Sequence, residues 1–101
     1  MIKPGVDLRG IQPQMSVAYT IAAIVFWEQA GSACWITSAT DSIHGMNSLH
    51  PKGLALDLRT KHLRAEQVHP VFMALKTALG EQFDVVLEAD HIHIEFDPKE
   101  A

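Results

Sequence analysis

Asp90-His91-Ile92-His93-Ile94-Glu95-Phe96 alternates polar and apolar residues over its whole length. Successive side chains of a β-strand point to opposite faces. The pattern therefore predicts a strand with His91, His93 and Glu95 on one side and Ile92, Ile94 and Phe96 on the other. Just upstream, Phe83 to Leu87 predicts a partner strand. Further back, Leu54 to Leu58 alternates again, the three leucines facing one way and Ala55 and Asp57 the other, as in a half-buried strand. Cys34-Trp35-Ile36-Thr37 predicts a fourth, short strand.

Two helices complete the set. From Met15 to Ala30, Val17, Ile21, Ile24, Val25 and Trp27 or Glu28 fall near helical spacing, which predicts that they form the inner stripe. Pro13 sits where a first-turn proline is tolerated, and Gly31 is a stop. Arg64 to Leu79 predicts a second amphipathic helix, with Val68, Val71, Phe72, Leu75 and Leu79 facing inward. Pro70 predicts that its regular part begins there, and Gly80 ends it. Residues 1–13, with Pro4, Gly5, Gly10 and Pro13, form an irregular lead-in. The expectation is one α+β domain over 1–101: a small, mainly antiparallel sheet packed with two main helices.

Composition narrows the function. The chain has 101 residues, 48% of them hydrophobic and 20% charged, enough for one core and unlike a disordered segment. A formal charge of −4 argues against nucleic acid as the main partner, and Lys61, His62 and Arg64, the densest basic group, predict a solvated loop. Cys34 is the single cysteine, which excludes an internal disulfide and a Cys-rich zinc site; its apolar neighbours predict a buried thiol. The apolar run Val17 to Trp27 is too short for a membrane span. It also lacks the basic flank and the cleavage site of a signal peptide. The protein is accordingly expected to be cytoplasmic at synthesis.

The chemistry-bearing residues gather around the strands. From Ser38 to Lys52 the composition turns to Ser, Thr, Asp, Asn, Gly and His, a long polar loop of the kind that is usually functional. His91 and His93 share one strand face, which by itself fits a solvated surface equally well. Asp57 projects from the polar side of a leucine-rich strand, and His50 precedes it across Pro51-Lys52-Gly53, where a glycine lets the loop bend back. A loop histidine, a strand aspartate and one histidine from another strand supply three ligands of the type Zn²⁺ prefers, with a fourth position for water. Two histidines and a carboxylate also describe a non-haem iron triad, so metal analysis has to separate the two.

Ser48-Leu49-His50-Pro51-Lys52-Gly53-Leu54-Ala55-Leu56-Asp57 carries the pattern Ser-x-His-x-x-Gly-x-Ala-x-Asp. In this it resembles the M15-type zinc peptidases. That family includes D-alanyl-D-alanine carboxypeptidases and phage L-alanyl-D-glutamate endopeptidases, and shares the hedgehog/DD-peptidase fold with hedgehog signalling domains. Glu88-Ala89-Asp90-His91-Ile92-His93 is similar to the family's second signature, a carboxylate shortly before a strand histidine. The resemblance covers about 36 to 96, and the compact size looks most like phage or prophage members.

The resemblance implies that His50 and Asp57 hold Zn²⁺. Read as a His-x-His pair, the second signature makes His93 the third ligand and His91 a catalytic or orienting neighbour. Read as Glu-x-x-His, it selects Glu88 and His91 instead. It also implies that Glu88 or Asp90 acts as general base for a zinc-held water attacking an amide, and that Ser48 orients substrate or ligands. The expected substrates are peptidoglycan stem or cross-link peptides, reached after phage-type release or as part of a virion. The alternative is an inactive zinc-stabilised binding or phage structural module of the same fold. One departure stands out: many members carry an arginine shortly after the strand ending in Thr-Ser, where it grips a substrate carboxylate. Ile36-Thr37-Ser38-Ala39-Thr40-Asp41 has none.

Overall fold

The structure, a computed structural model, describes residues 1–40 and 52–98. Its elements in chain order are α1 (Pro13–Ala30), β1 (Ile36–Ser38), β2 (Ala55–Arg59), α2 (Ala65–Leu79), β3 (Phe83–Leu87) and β4 (His91–Phe96). The strands form one sheet in the order β1-β2-β4-β3, and each neighbouring pair is antiparallel. This is the α+β arrangement expected from the alternating segments.

The register shows how alternation becomes a core. Leu56 lies opposite Ile94, and Leu58 opposite Ile92, with Val85 beyond Ile94 on β3. These five side chains are buried and join Val71, Leu75 and Leu79 of α2 and Met15, Ala18, Ala22, Val25 and Phe26 of α1 in one cluster. The helices therefore line one face of the sheet, and β4 presents His91, His93 and Glu95 on the other.

Three local expectations need correction. The inner stripe of α1 is Met15, Ala18, Ala22, Val25 and Phe26, whereas Val17, Ile24 and Trp27 are exposed. The helix is apolar nearly all round, so spacing alone could not choose a face; the alanines are small enough to let α1 lie close against α2. Next, α2 does not begin at Pro70 but runs through it from Ala65. Proline removes only the bond to the Glu66 carbonyl, and both residues are exposed, so water can serve that oxygen. The backbone N–H of Arg64, just before the helix, donates to Gln67 Oε1 at 3.0 Å, fixing the earlier start. Lastly, β2 is buried on both faces from Ala55 to Leu58, not half-buried. It is an interior strand, and the polar-face position of Asp57 is covered by histidines described below.

Two features outside the elements position β2. Ile2 makes a parallel bridge to Ile36, and the Lys3 N–H donates to the Ile36 carbonyl at 2.9 Å, so the lead-in borders the β1 edge. Gly53 has φ 74°, and its carbonyl accepts from the Gln12 N–H at 2.9 Å. A Cβ at Gly53 would lie 2.0 Å from the Gly10 carbonyl oxygen. Only glycine satisfies both that φ and that approach. No helix among the described residues is long and apolar enough to cross a membrane.

Candidate functional site

The site is built on the sheet face turned away from the helices. Asp57 of β2 and His93 of β4 are directly opposed in the ladder, and Arg59 is opposed to His91. Cross-strand partners share a face, so four chemistry-bearing side chains meet over two strands. Asp57 is only 4% exposed, between the fully buried Leu56 and Leu58. A buried carboxylate needs close partners to remain charged.

His93 supplies the nearest one. Its Nδ1–H donates to Asp57 Oδ1 at 2.8 Å, and its Nε2–H donates to Glu95 Oε1 at 2.8 Å. With both ring nitrogens on carboxylates, the surroundings favour the protonated imidazole. The Asp57 hydrogen bond, then that of Glu95, raise its pKa against the opposing effect of burial. His91 approaches the same aspartate from the neighbouring position, its Nε2 lying 3.8 Å from Asp57 Oδ1. Its Nδ1 is 2.8 Å from Asp90 Oδ1. Asp90, in the β3–β4 turn, also faces Lys61 Nζ at 3.7 Å. The His91 hydrogen bond above all, with the Lys61 charge in support, lowers the Asp90 pKa.

The expected residues thus fall into three sets. Asp57, His93, His91 and Asp90 come together. Glu88 stands at the exposed start of the turn, where its backbone N–H pairs with the His91 carbonyl. Its side chain enters no hydrogen bond or ion pair among the described residues. His50 and Ser48 lie outside the described residues, as does His44. The remaining histidines are placed apart from the site. His62 stacks on Phe26 and bonds the Ala33 carbonyl at 2.8 Å, while His69 is exposed on α2 beside Phe72.

Could this face hold a metal? Tetrahedral ligands about 2.0–2.2 Å from zinc are roughly 3.3 Å apart, and the Asp57 Oδ1 to His93 Nδ1 separation of 2.8 Å is within a small widening of that. A histidine that ligates through one nitrogen commonly donates its other N–H to a carboxylate, as His93 does to Glu95. Among the described residues, one group of three candidate ligands has donor atoms all within 4.8 Å of one another: Asp84, Glu95 and Asp97. Such acidic groups are common without a metal. Asp57, His91 and His93 do not form such a triple, so the two histidines do not close on one point with Asp57. Of the donor types zinc prefers, one carboxylate and one histidine nitrogen stand side by side here, at Asp57 and His93.

Residues that sequence reasoning passed over also border the site. Glu95 was visible on the polar face, and its spacing two positions from His93 was the signal for contact. Ser38 lies opposite Asp57 across β1, and its buried hydroxyl has no hydrogen-bond partner among the described residues. Thr37 Oγ1 donates to the Asp57 backbone carbonyl at 3.4 Å. Comparison of the chain with protein-family models, with curated proteins and with solved structures finds no match in any of the three.

Proposed function

We propose that the protein is a zinc-dependent peptidase of the M15 type, with the hedgehog/DD-peptidase fold, acting on peptidoglycan peptides. The observation that carries this reading is the Asp57–His93 pair: a buried strand carboxylate on a histidine nitrogen, with a second carboxylate behind the ring. The motif from Ser48 to Asp57 and the antiparallel sheet that sets Asp57 on the face turned away from the helices support it.

In this reading Asp57, His93 and His50 would hold the zinc, and His93 would give up its Nδ1 proton to serve as a ligand. When bound, zinc supplies Lewis acidity toward a carbonyl and a nucleophilic water at neutral pH. Glu95 fixes the ring of His93 and its tautomer. Asp90 accepts the Nδ1–H of His91, which turns the His91 Nε2 to the Asp57 side of the site. His91 then moves the proton from the attacking water to the leaving amine, and Asp90 orients it. A carboxylate with a lowered pKa is a poor base, so His91 suits the transfer better than Asp90 itself. Release from a phage-infected host, or carriage on a virion, brings such an enzyme to the cell wall.

The test combines metal analysis with turnover. Purified protein is expected to carry about one zinc per chain and to cleave peptidoglycan-derived peptides, and both chelation and His50→Ala are expected to abolish cleavage. Cleavage that survives both treatments removes the zinc mechanism. Bound zinc with no cleavage of any wall peptide leaves a binding module instead.

A further inference from the structure

The sheet face that carries Asp57 and His93 continues, at the His91 end, into a cleft of about 340 Å³ lined by Lys3, Thr37, Arg59, Lys61, Asp90 and His91. That volume lies at the lower end of the range for small-molecule sites and suits the end of a peptide rather than its middle. The chain as a whole carries −4, yet this cleft gathers three cationic side chains against one carboxylate. Lys61 and His91 already face that carboxylate, Asp90. Lys3 and Arg59 have no ion-pair or side-chain hydrogen-bond partner among the described residues.

These cations come from different parts of the chain and are placed by the fold. Lys3 is held at the β1 edge by the bridge between Ile2 and Ile36. Arg59 ends β2 and faces His91 across the ladder. Lys61 follows β2. The far end of the same sheet face has the opposite sign, because Asp84 and Glu95 oppose each other there with Asp97 close by. An anionic group on this face is therefore drawn to one end and repelled from the other.

We propose that the cleft lined by Lys3, Arg59 and Lys61 is a carboxylate-binding subsite that seats the acidic end of a peptide beside His91 and the Asp57–His93 pair. The description of that peptide as a substrate rests on the peptidase reading above; the binding of a carboxylate does not. A planar guanidinium flanked by two ammonium groups offers a forked donor and two point charges, which a carboxylate satisfies with charge-assisted hydrogen bonds. The subsite is assembled without an arginine after β1. The cations arrive instead from the lead-in and from the end of β2.

The experiment titrates the purified protein with N-acetylglutamate, with N-acetylglutaminamide, in which both carboxylates are replaced by neutral amides, and with inorganic phosphate, following backbone amide shifts by NMR. N-acetylglutamate is expected to shift the amides of Lys3, Arg59, Lys61 and His91, and to bind at least tenfold more tightly than N-acetylglutaminamide. Arg59→Gln and the double variant Lys3→Gln with Lys61→Gln are each expected to weaken the acid by about tenfold or more, with unchanged dispersion of the remaining spectrum. Equal affinity for acid and amide, undiminished binding by both variants, or no binding of the acid overturns the proposal. Phosphate binding without the acid overturns it too, in favour of a phosphate site. The two readings fail separately. A protein that binds the acid but cleaves no peptide defeats the peptidase reading alone, and cleavage indifferent to Arg59→Gln and to the substrate's carboxylate defeats the subsite alone.

Discussion

At the scale of single residues, the decisive contact is the one between Asp57 and His93. Removing His93 takes from the buried Asp57 its charge-assisted hydrogen bond, which costs about 2–3 kcal/mol. His93→Ala is therefore expected to lose both metal binding and that much stability, measured by metal analysis and by denaturant unfolding without metal. Glu95→Gln is a finer probe. The amide oxygen still accepts from His93 Nε2, so fold and zinc binding are expected to persist, whereas Glu95→Ala is expected to weaken zinc affinity by about 10–100-fold. The cobalt-substituted protein should show the same order in its visible absorption bands. If Glu95→Ala binds metal as wild type does, Glu95 does not position the ring. For the proton shuttle, Asp90→Asn and His91→Ala are each expected to lower kcat by about 10²-fold or more at unchanged zinc content. Full kcat in His91→Ala would pass the role back to a carboxylate, with Glu88→Gln as the next variant.

At the scale of elements, the geometry of β2 depends on the turn that feeds it. Gly53 brings its carbonyl onto Gln12 and leaves no room for a Cβ against the Gly10 backbone. Gly53→Ala combines an unfavourable positive φ with a backbone clash, and is expected to destabilise by about 2 kcal/mol or more. Its zinc affinity should fall with it, because Asp57 is only four positions on. An unfolding midpoint equal to wild type would show that the lead-in can yield. The segment between α1 and β1 has a marker in Cys34, which is 3% exposed and whose thiol pKa is pushed up to about 12 by burial. It should react with thiol reagents only as fast as the protein opens, and rapidly in denaturant. Fast labelling of the native protein would contradict the packing of this segment against α1.

For the whole molecule, the sheet separates two environments. One face joins both helices in an apolar core, and the other carries titrating groups arranged from basic to acidic. This arrangement ties stability to pH. The folded-state pKa of His93 is raised above the ordinary histidine value of 6.5. In metal-free protein its contribution is fully present below that value and is lost as pH rises through the raised folded-state value. Chelator-treated protein is therefore expected to lose Tm as pH increases from about 6 upward. Zinc competes with that same proton, so zinc-loaded protein should show the opposite trend, gaining stability over the same interval. Parallel Tm profiles with and without zinc would mean that His93 does not exchange its proton for metal.

Much of this architecture is written in local pattern. Period-two alternation in β4 and β2 gave the strands and the polar side on which Asp57 and the histidines lie, because each pleat sends neighbours to opposite sides whatever surrounds it; that Asp57 meets His93 came only with the β2–β4 register. Gly31 and Gly80 marked the helix ends for similarly local reasons. The face that α1 buries was not available from spacing, since a helix apolar nearly all round is resolved only by where small alanines allow a second helix to approach. The passage of α2 through Pro70 depended on one exposed carbonyl turning to water. His93 and Glu95 could be placed on one face by counting, but which nitrogen meets which carboxylate required the strands in register. The cleft of Lys3, Arg59 and Lys61 had no trace in any motif. Lys3 stands more than fifty positions before Arg59 and Lys61, and only the bridge from Ile2 to Ile36 and the β2–β4 ladder bring their charges to one end of the sheet.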